Sequence, residues 1–171
     1  SEAAAGFWPW SCDNTVMQFN EVSDHKAPWD AQGFDSDYNC RNTTIQYNYS
    51  HDNDGGLVLI CNSGTYHGAG NQGSAVQYNV SINDAIRPRA TRSGIFSANI
   101  HIAGPCKNTL VQRNLLHVNP KTEPFIDRSI ITSDSWDGYA DSTVFRENVF
   151  FVPQESEIRL NLSLIHISEP T

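Results

Sequence analysis

The chain has 171 residues, a formal net charge of −8, and 18% charged residues. That acidic balance excludes a nucleic-acid partner, which needs a basic footprint, and disfavours a polyanionic substrate unless a cation bridges the two. The length is sufficient to bury a core, and no apolar run approaches the roughly 18 residues of a membrane span, so one β-rich unit is expected.

The opening stretch, "SEAAAGFWPW", lacks an initiator Met, a basic n-region and an apolar h-region. The chain is therefore expected to be a piece of a longer reading frame. From Cys12 onward a nine-residue block recurs without gaps: "CDNTVMQFN", then "CRNTTIQYN" from Cys40, "NQGSAVQYN" from Asn71, "CKNTLVQRN" from Cys106 and "ADSTVFREN" from Ala140. The blocks end on Asn20, Asn48, Asn79, Asn114 and Asn148, in steps of 28, 31, 35 and 34 residues, which is a repeat-architecture period.

Within each block, apolar or β-branched residues alternate with polar ones: Thr15 and Met17, Thr43 and Ile45, Val76, Thr109 and Val111, Thr143 and Phe145. Alternation of this kind puts them on one face of a strand, the face that points inward. Second strand-like runs are "GFWPWS", "GFDSD", "GLVLIC", "SANIHIAG" and "RSIITSD", and a third apolar step follows the asparagines at Val22, Leu116 and Phe150. Three short strands per period, joined by Gly, Asn, Asp and Pro turns, predict an all-β coil of about five turns with three faces. Equivalent residues then stack at about 4.8 Å. Each inward asparagine satisfies buried backbone groups and bonds to its counterparts on neighbouring coils. This ladder explains Asn48 and Asn79 better than the glycosylation sequons that begin at Asn42, Asn48 and Asn79.

The block and its asparagines, with the stretch "DAQGFDSDYNCRNTTIQYNYSHDNDGG", resemble the right-handed parallel β-helix repeat proteins of the pectate-lyase-like superfamily, over most of residues 6–152. The resemblance implies a right-handed parallel β-helix of bacterial origin, secreted or on the cell surface. It leaves the reaction open, because that group includes polysaccharide lyases, glycosidases, epimerases and phage tailspikes. Residues 1–161 are assigned to a partial β-helix domain truncated at both ends. Residues 162–171, "LSLIHISEPT", resemble a translated sequencing-library adapter and are set apart as a non-native tail.

Cys12, Cys40 and Cys106 share one block position, as a column of small buried residues. Cys12 and Cys40 fall on adjacent coils, where a disulfide is the alternative. In "WDAQGFDSD", alternation sends Asp35 and Asp37 to the outward side about 7 Å apart, a separation suited to a glycosidase acid and base or to a shared Ca²⁺. Aligning Gly6 with Gly33 stacks Trp8 and Trp10 beside them as a sugar platform. Trp29, Asp30, Arg87 and Arg89 are further substrate-contacting candidates, the arginines on a long solvated connection where they would orient a uronate. His101 shares the outward parity and is a third catalytic candidate. In "SHDNDGG", His51, Asp52 and Asp54 offer an acid/base or cation site, with turn chemistry as the alternative. The expected partner is a polysaccharide or oligosaccharide. The expected activity is glycoside hydrolysis, with a Ca²⁺-dependent lyase and a non-catalytic glycan-binding module as alternatives, and no other cofactor.

Overall fold

A computed structural model of the chain describes residues 4–65, 68, 70–88, 98–118 and 129–152, with backbone only at 159–162. Among these residues there are fifteen strands and no helix, hence no helix long and apolar enough to cross a membrane. The first sheet takes β1 (Val16–Gln18), β4 (Thr44–Gln46), β7 (Ala75–Gln77), β10 (Leu110–Gln112) and β13 (Val144–Arg146). The second takes β2 (Glu21–Ser23), β5 (Tyr49–His51), β8 (Val80–Ile82), β11 (Leu115–His117) and β14 (Val149–Phe151). The third takes β3 (Phe34–Ser36), β6 (Val58–Cys61), β9 (Ile100–Ala103), β12 (Ser129–Asp134) and β15 (Arg159–Leu162). Every pairing is parallel, and each strand lies beside the one three elements earlier, so the chain is a parallel β-solenoid with three strands per turn. "GFWPWS" forms no strand; it contributes one bridge, Phe7 to Phe34, because Pro9 has no N–H to give a ladder. Leu162 closes β15, and the rest of the proposed adapter tail lies outside the described residues.

The five asparagines form the expected ladder. Asn48 Nδ2 donates to Asn79 Oδ1 at 3.0 Å and to the Met17 carbonyl at 3.0 Å, while the Asn48 backbone N–H donates to the same Asn79 oxygen at 3.0 Å. The pattern repeats from Asn20 to Asn48, Asn79 to Asn114 and Asn114 to Asn148. The residue before each asparagine, in turn Phe19, Tyr47, Tyr78, Arg113 and Glu147, has φ of 53–58°. An L-residue enters this left-handed region only against a steric cost, and the ladder holds it there at the corner between the first two sheets. Asn14, Asn42, Asn108 and Ser142 make the corresponding left-handed turn on entering the first sheet, with Gly73 in the third copy. The "N" of the sequon at Asn42 is thus turn chemistry as well.

Inward residues stack coil upon coil: Met17, Ile45, Val76 and Val111 from the first sheet, Val22 and Leu116 from the second, Phe34, Val58, Ile100 and Ile131 from the third. Cys40, Asn71 and Cys106 are buried in a single column, and all four cysteines are free thiols. Cys40 follows the small-buried-residue reading and Cys12 is only half-buried, their thiols donating to the carbonyls of Pro9 and Trp10. A second internal column joins the second sheet to the third. There His25 N–H donates to Asn53 Oδ1 at 2.9 Å, and Asn53 Nδ2 donates to Asp84 Oδ1 at 2.8 Å. Asp84 is fully buried and also accepts from Ser81 Oγ at 2.6 Å. Burial raises its pKa to about 6, against hydrogen bonds from Ser81, Ser50 and Asn53 that favour the anion.

Two consequences are measurable. Asn79→Ala removes an acceptor for two donors of Asn48 and a donor to the Ile45 carbonyl; chemical denaturation should show a loss of about 3–5 kcal/mol, against under about 1 kcal/mol for Gln46→Ala on the outer surface. For Asp84 the folded pKa lies above the unfolded one, so the folded state binds the extra proton. Its stability contribution is complete below about pH 4 and is lost as pH rises through about 6, roughly 3 kcal/mol in all. Asp84→Asn should flatten that part of the stability–pH curve, and a curve unchanged by the substitution would refute the assignment.

Candidate functional site

Outward side chains of the third sheet fall into lateral rows set by the strand register. One row runs Asp35, Leu59, His101, Thr132; the next contains Cys61, Ala103 and Asp134, with Asp37 beside Cys61. At the N-terminal side, Asp35 N–H bonds the Phe7 carbonyl and Asp37 N–H the Pro9 carbonyl, which puts Trp8 and Trp10 in register with the two aspartates. The tryptophans remain 47% and 42% exposed. Trp10 packs on Tyr38 with ring centroids 4.8 Å apart, Tyr38 meets Trp136 edge-on at 6.4 Å, and Trp136 meets His101 at 6.2 Å.

The carboxylate pair differs from the open, roughly 7 Å arrangement expected. Asp35 is only 4% exposed. Asp35, Asp37 and Cys61 each bring a donor atom within 4.8 Å of the others. Cys61 Sγ stands 3.3 Å from Asp37 Oδ1 and 4.0 Å from Asp35 Oδ1. The pleat does send both aspartates outward; Leu59 is the register partner of Asp35 and Cys61 lies against both carboxylates, and these two pack with Ala103, Tyr38 and Trp136 in a small cluster of their own. Burial first, then the charges of Asp37 and Asp30, push the Asp35 carboxyl well above its ordinary range. Asp37 is also raised by burial, but hydrogen bonds from Tyr38 N–H at 2.7 Å and from Cys61 favour its anion. The donor set does not fit Ca²⁺, which takes six to eight oxygens; a thiol is a soft ligand foreign to such a cage.

Asp30 joins this group from the connection before β3. It is half-buried, and its pKa is raised by burial and then by Asp37, against the lowering influence of Arg87, His101 and His25. His101 is buried, with Nε2 donating to Asp134 Oδ2 at 2.8 Å, and that bond lowers the Asp134 pKa. Trp29, half-buried, lies next to Asp30 on the same connection. Arg87 does not lie on a solvated loop: it is 4% exposed, and its guanidinium donates to the carbonyls of Ala27, Trp29 and Asp30. Arg89 lies outside the described residues. Tyr38, Cys61, Asp134 and Trp136 were not singled out from sequence; only their register with Asp35, Asp37 and His101 identifies them.

The "SHDNDGG" residues divide among other tasks. His51, on the second sheet, bonds Asp52 at 2.8 Å and Glu21 at 3.0 Å, and these two bonds raise its pKa. Asn53 enters the internal column, and Gly55 lets the backbone of Ala31 and Gln32 approach closer than a Cβ allows. A second exposed aromatic feature, the column Phe19, Tyr47, Tyr78, stacks its rings nearly parallel at 5.5 and 5.1 Å, with the Arg113 guanidinium 5.7 Å from the Tyr78 ring centroid. Phe19 and Tyr47 in this column are exposed, as Trp8 and Trp10 are.

Comparison with known proteins adds one relationship. The chain is 31% identical over 130 residues to a lacto-N-biosidase of Bifidobacterium longum subsp. longum, an alignment that takes in 74% of this chain. The chain spans about 7% of that protein's length. No family model matches the chain, and no solved structure matches it.

Proposed function

We propose that the chain is a piece of a secreted or cell-surface glycoside hydrolase, built on a β-helix of the pectate-lyase-like kind, whose outer third sheet binds a glycan and cleaves a glycosidic bond with Asp30 and Asp37 as its acid/base pair. The similarity to a lacto-N-biosidase supports the substrate class. The observation that carries the assignment is a pair of half-buried carboxyl groups within electrostatic reach of one another: Asp30 is raised by burial and then by the charge of Asp37, and Asp37 is raised by burial against hydrogen bonds from Tyr38 N–H and Cys61. Such hydrolysis uses two carboxyl groups, one to protonate the leaving oxygen and one to act as base or nucleophile. Asp35, expected from sequence as half of the pair, is too enclosed to meet a substrate, and its burial pushes its carboxyl well above the ordinary range. Trp8 and Trp10 offer exposed aromatic surface for a pyranose.

The test is a glycan panel that includes an aryl lacto-N-bioside, digested by the parent protein with and without EDTA. Asp30→Asn and Asp37→Asn should each lower kcat by about 10²–10⁴-fold, while Asp35→Asn, a nearly isosteric change at a buried position, should stay within about tenfold. Both carboxyls are raised, so the pH–rate profile should have its acid limb above the ordinary carboxylate range. An EDTA-sensitive reaction yielding an unsaturated product would replace hydrolysis with the lyase reading, and binding without turnover would leave a glycan-binding module.

A further inference from the structure

Arg87, buried near the site, has no part in the reaction as proposed. It sits on the connection between β8 and β9, two turns along the solenoid from the connection that carries Trp29 and Asp30. Its backbone N–H donates to the Asp54 carbonyl at 3.1 Å, and Asp54 N–H donates to the His25 carbonyl at 3.0 Å, so three successive turns are tied at this corner. From there the side chain reaches back across the corner. Nη1 donates to the Ala27 carbonyl and Nη2 to those of Trp29 and Asp30. The same segment is fixed at its far end, where Gly55 N–H donates to the Ala31 carbonyl at 2.9 Å and Ala31 N–H donates to that of Ala4 at 3.0 Å. Ala31 itself has φ of 75°.

A guanidinium suits this position for a definite reason. Three carbonyls turned toward one buried point need a donor with several N–H groups in a fixed plane. Arginine carries five in a rigid fork, and lysine carries three on a point charge. The carbonyls belong to the residues that carry Asp30 and Trp29, so the fork sets where both side chains start. Alternative uses of Arg87, such as orienting a substrate carboxylate, are closed by its burial.

We propose that Arg87 is a positioning residue of the site: its guanidinium, by gathering the carbonyls of Ala27, Trp29 and Asp30, holds the Asp30 carboxyl in working geometry against Asp37. The inference rests on the reading of Asp30 as one of the reacting pair. A displacement of about 1 Å at a reacting group costs on the order of 10²-fold in rate, so the fork acts on kcat through Asp30 and Trp29 without touching substrate. Its charge also acts on Asp30 directly, in the lowering direction, alongside His101 and His25 and against Asp37.

Arg87→Ala and Arg87→Lys in the parent protein test it, with the aryl lacto-N-bioside as probe and free guanidinium ion as a rescue reagent. The expected result is a fall in kcat of about 100-fold for Arg87→Ala and a smaller fall for Arg87→Lys, with KM changed much less. Added guanidinium should restore part of the activity of Arg87→Ala and none of that of Asp30→Asn. The Asp30 carboxyl, followed by ¹³C NMR, should titrate higher in Arg87→Ala and return toward wild type with guanidinium. Wild-type kcat and an unmoved Asp30 titration would overturn the inference, as would a loss that guanidinium does not relieve. Should Arg87→Ala fail to fold, Arg87→Lys decides: a lowered kcat at an unchanged Tm supports the role, and an unchanged kcat refutes it. If Asp30→Asn is itself fully active, the reading of the reacting pair fails, while the carboxyl titration still reports whether Arg87 governs Asp30.

Discussion

The lateral hydrogen bond between equivalent positions on successive turns is the constraint on which this molecule depends. A solenoid has no remote elements to pack against; each turn is held by the turn above and below. Buried corners therefore have to satisfy their own backbone groups, and an asparagine does so with two donors and one oxygen that accepts twice. Once that contact repeats, the strand registers follow, because each sheet is locked at the corner from which its strands start. The left-handed residues before the asparagines are tolerated for the same reason, their unfavourable φ being fixed by bonds on both sides.

Because stability resides in the interior stack and the ladders, the outer faces can carry chemistry. Register turns that freedom into geometry. Residues 26 or 33 positions apart in the chain, such as Asp35 with Cys61 and His101 with Asp134, become neighbours across strands. The corner between the second and third sheets differs from the asparagine corner. It is irregular in length, contains the buried Asp84 and Arg87, and delivers Asp30 to the edge of the third sheet. An even corner makes the scaffold, and an uneven one furnishes part of the proposed site.

Much of this was legible in the amino-acid sequence because it is periodic. Five superposable blocks contained the strand parity, the inward face and the asparagine ladder, and the pleat of "GFDSD" assigned Asp35 and Asp37 to the outer side. What was not legible depends on contacts without a period. Nothing local indicates that Asp35 would be enclosed, since Leu59 and Cys61 come beside it only through register. Arg87 read as a loop arginine among "RPRATR", because its acceptors are backbone carbonyls 57 to 60 residues earlier, which no side-chain pattern reports. Asp84 was invisible for a similar reason: its column of His25, Asn53 and Asp84 uses three different residue types.

The central claim is that a glycan is held on the third sheet between Trp8, Trp10 and the Asp30–Asp37 pair. The most direct measurement is a crystal structure of the parent protein carrying Asp37→Asn, soaked with an oligosaccharide that it turns over when wild type. A sugar ring stacked on Trp8 or Trp10, with its scissile oxygen within hydrogen-bond reach of Asp30, is the result predicted. Density instead along the Phe19, Tyr47 and Tyr78 column, with the third sheet empty, would contradict it.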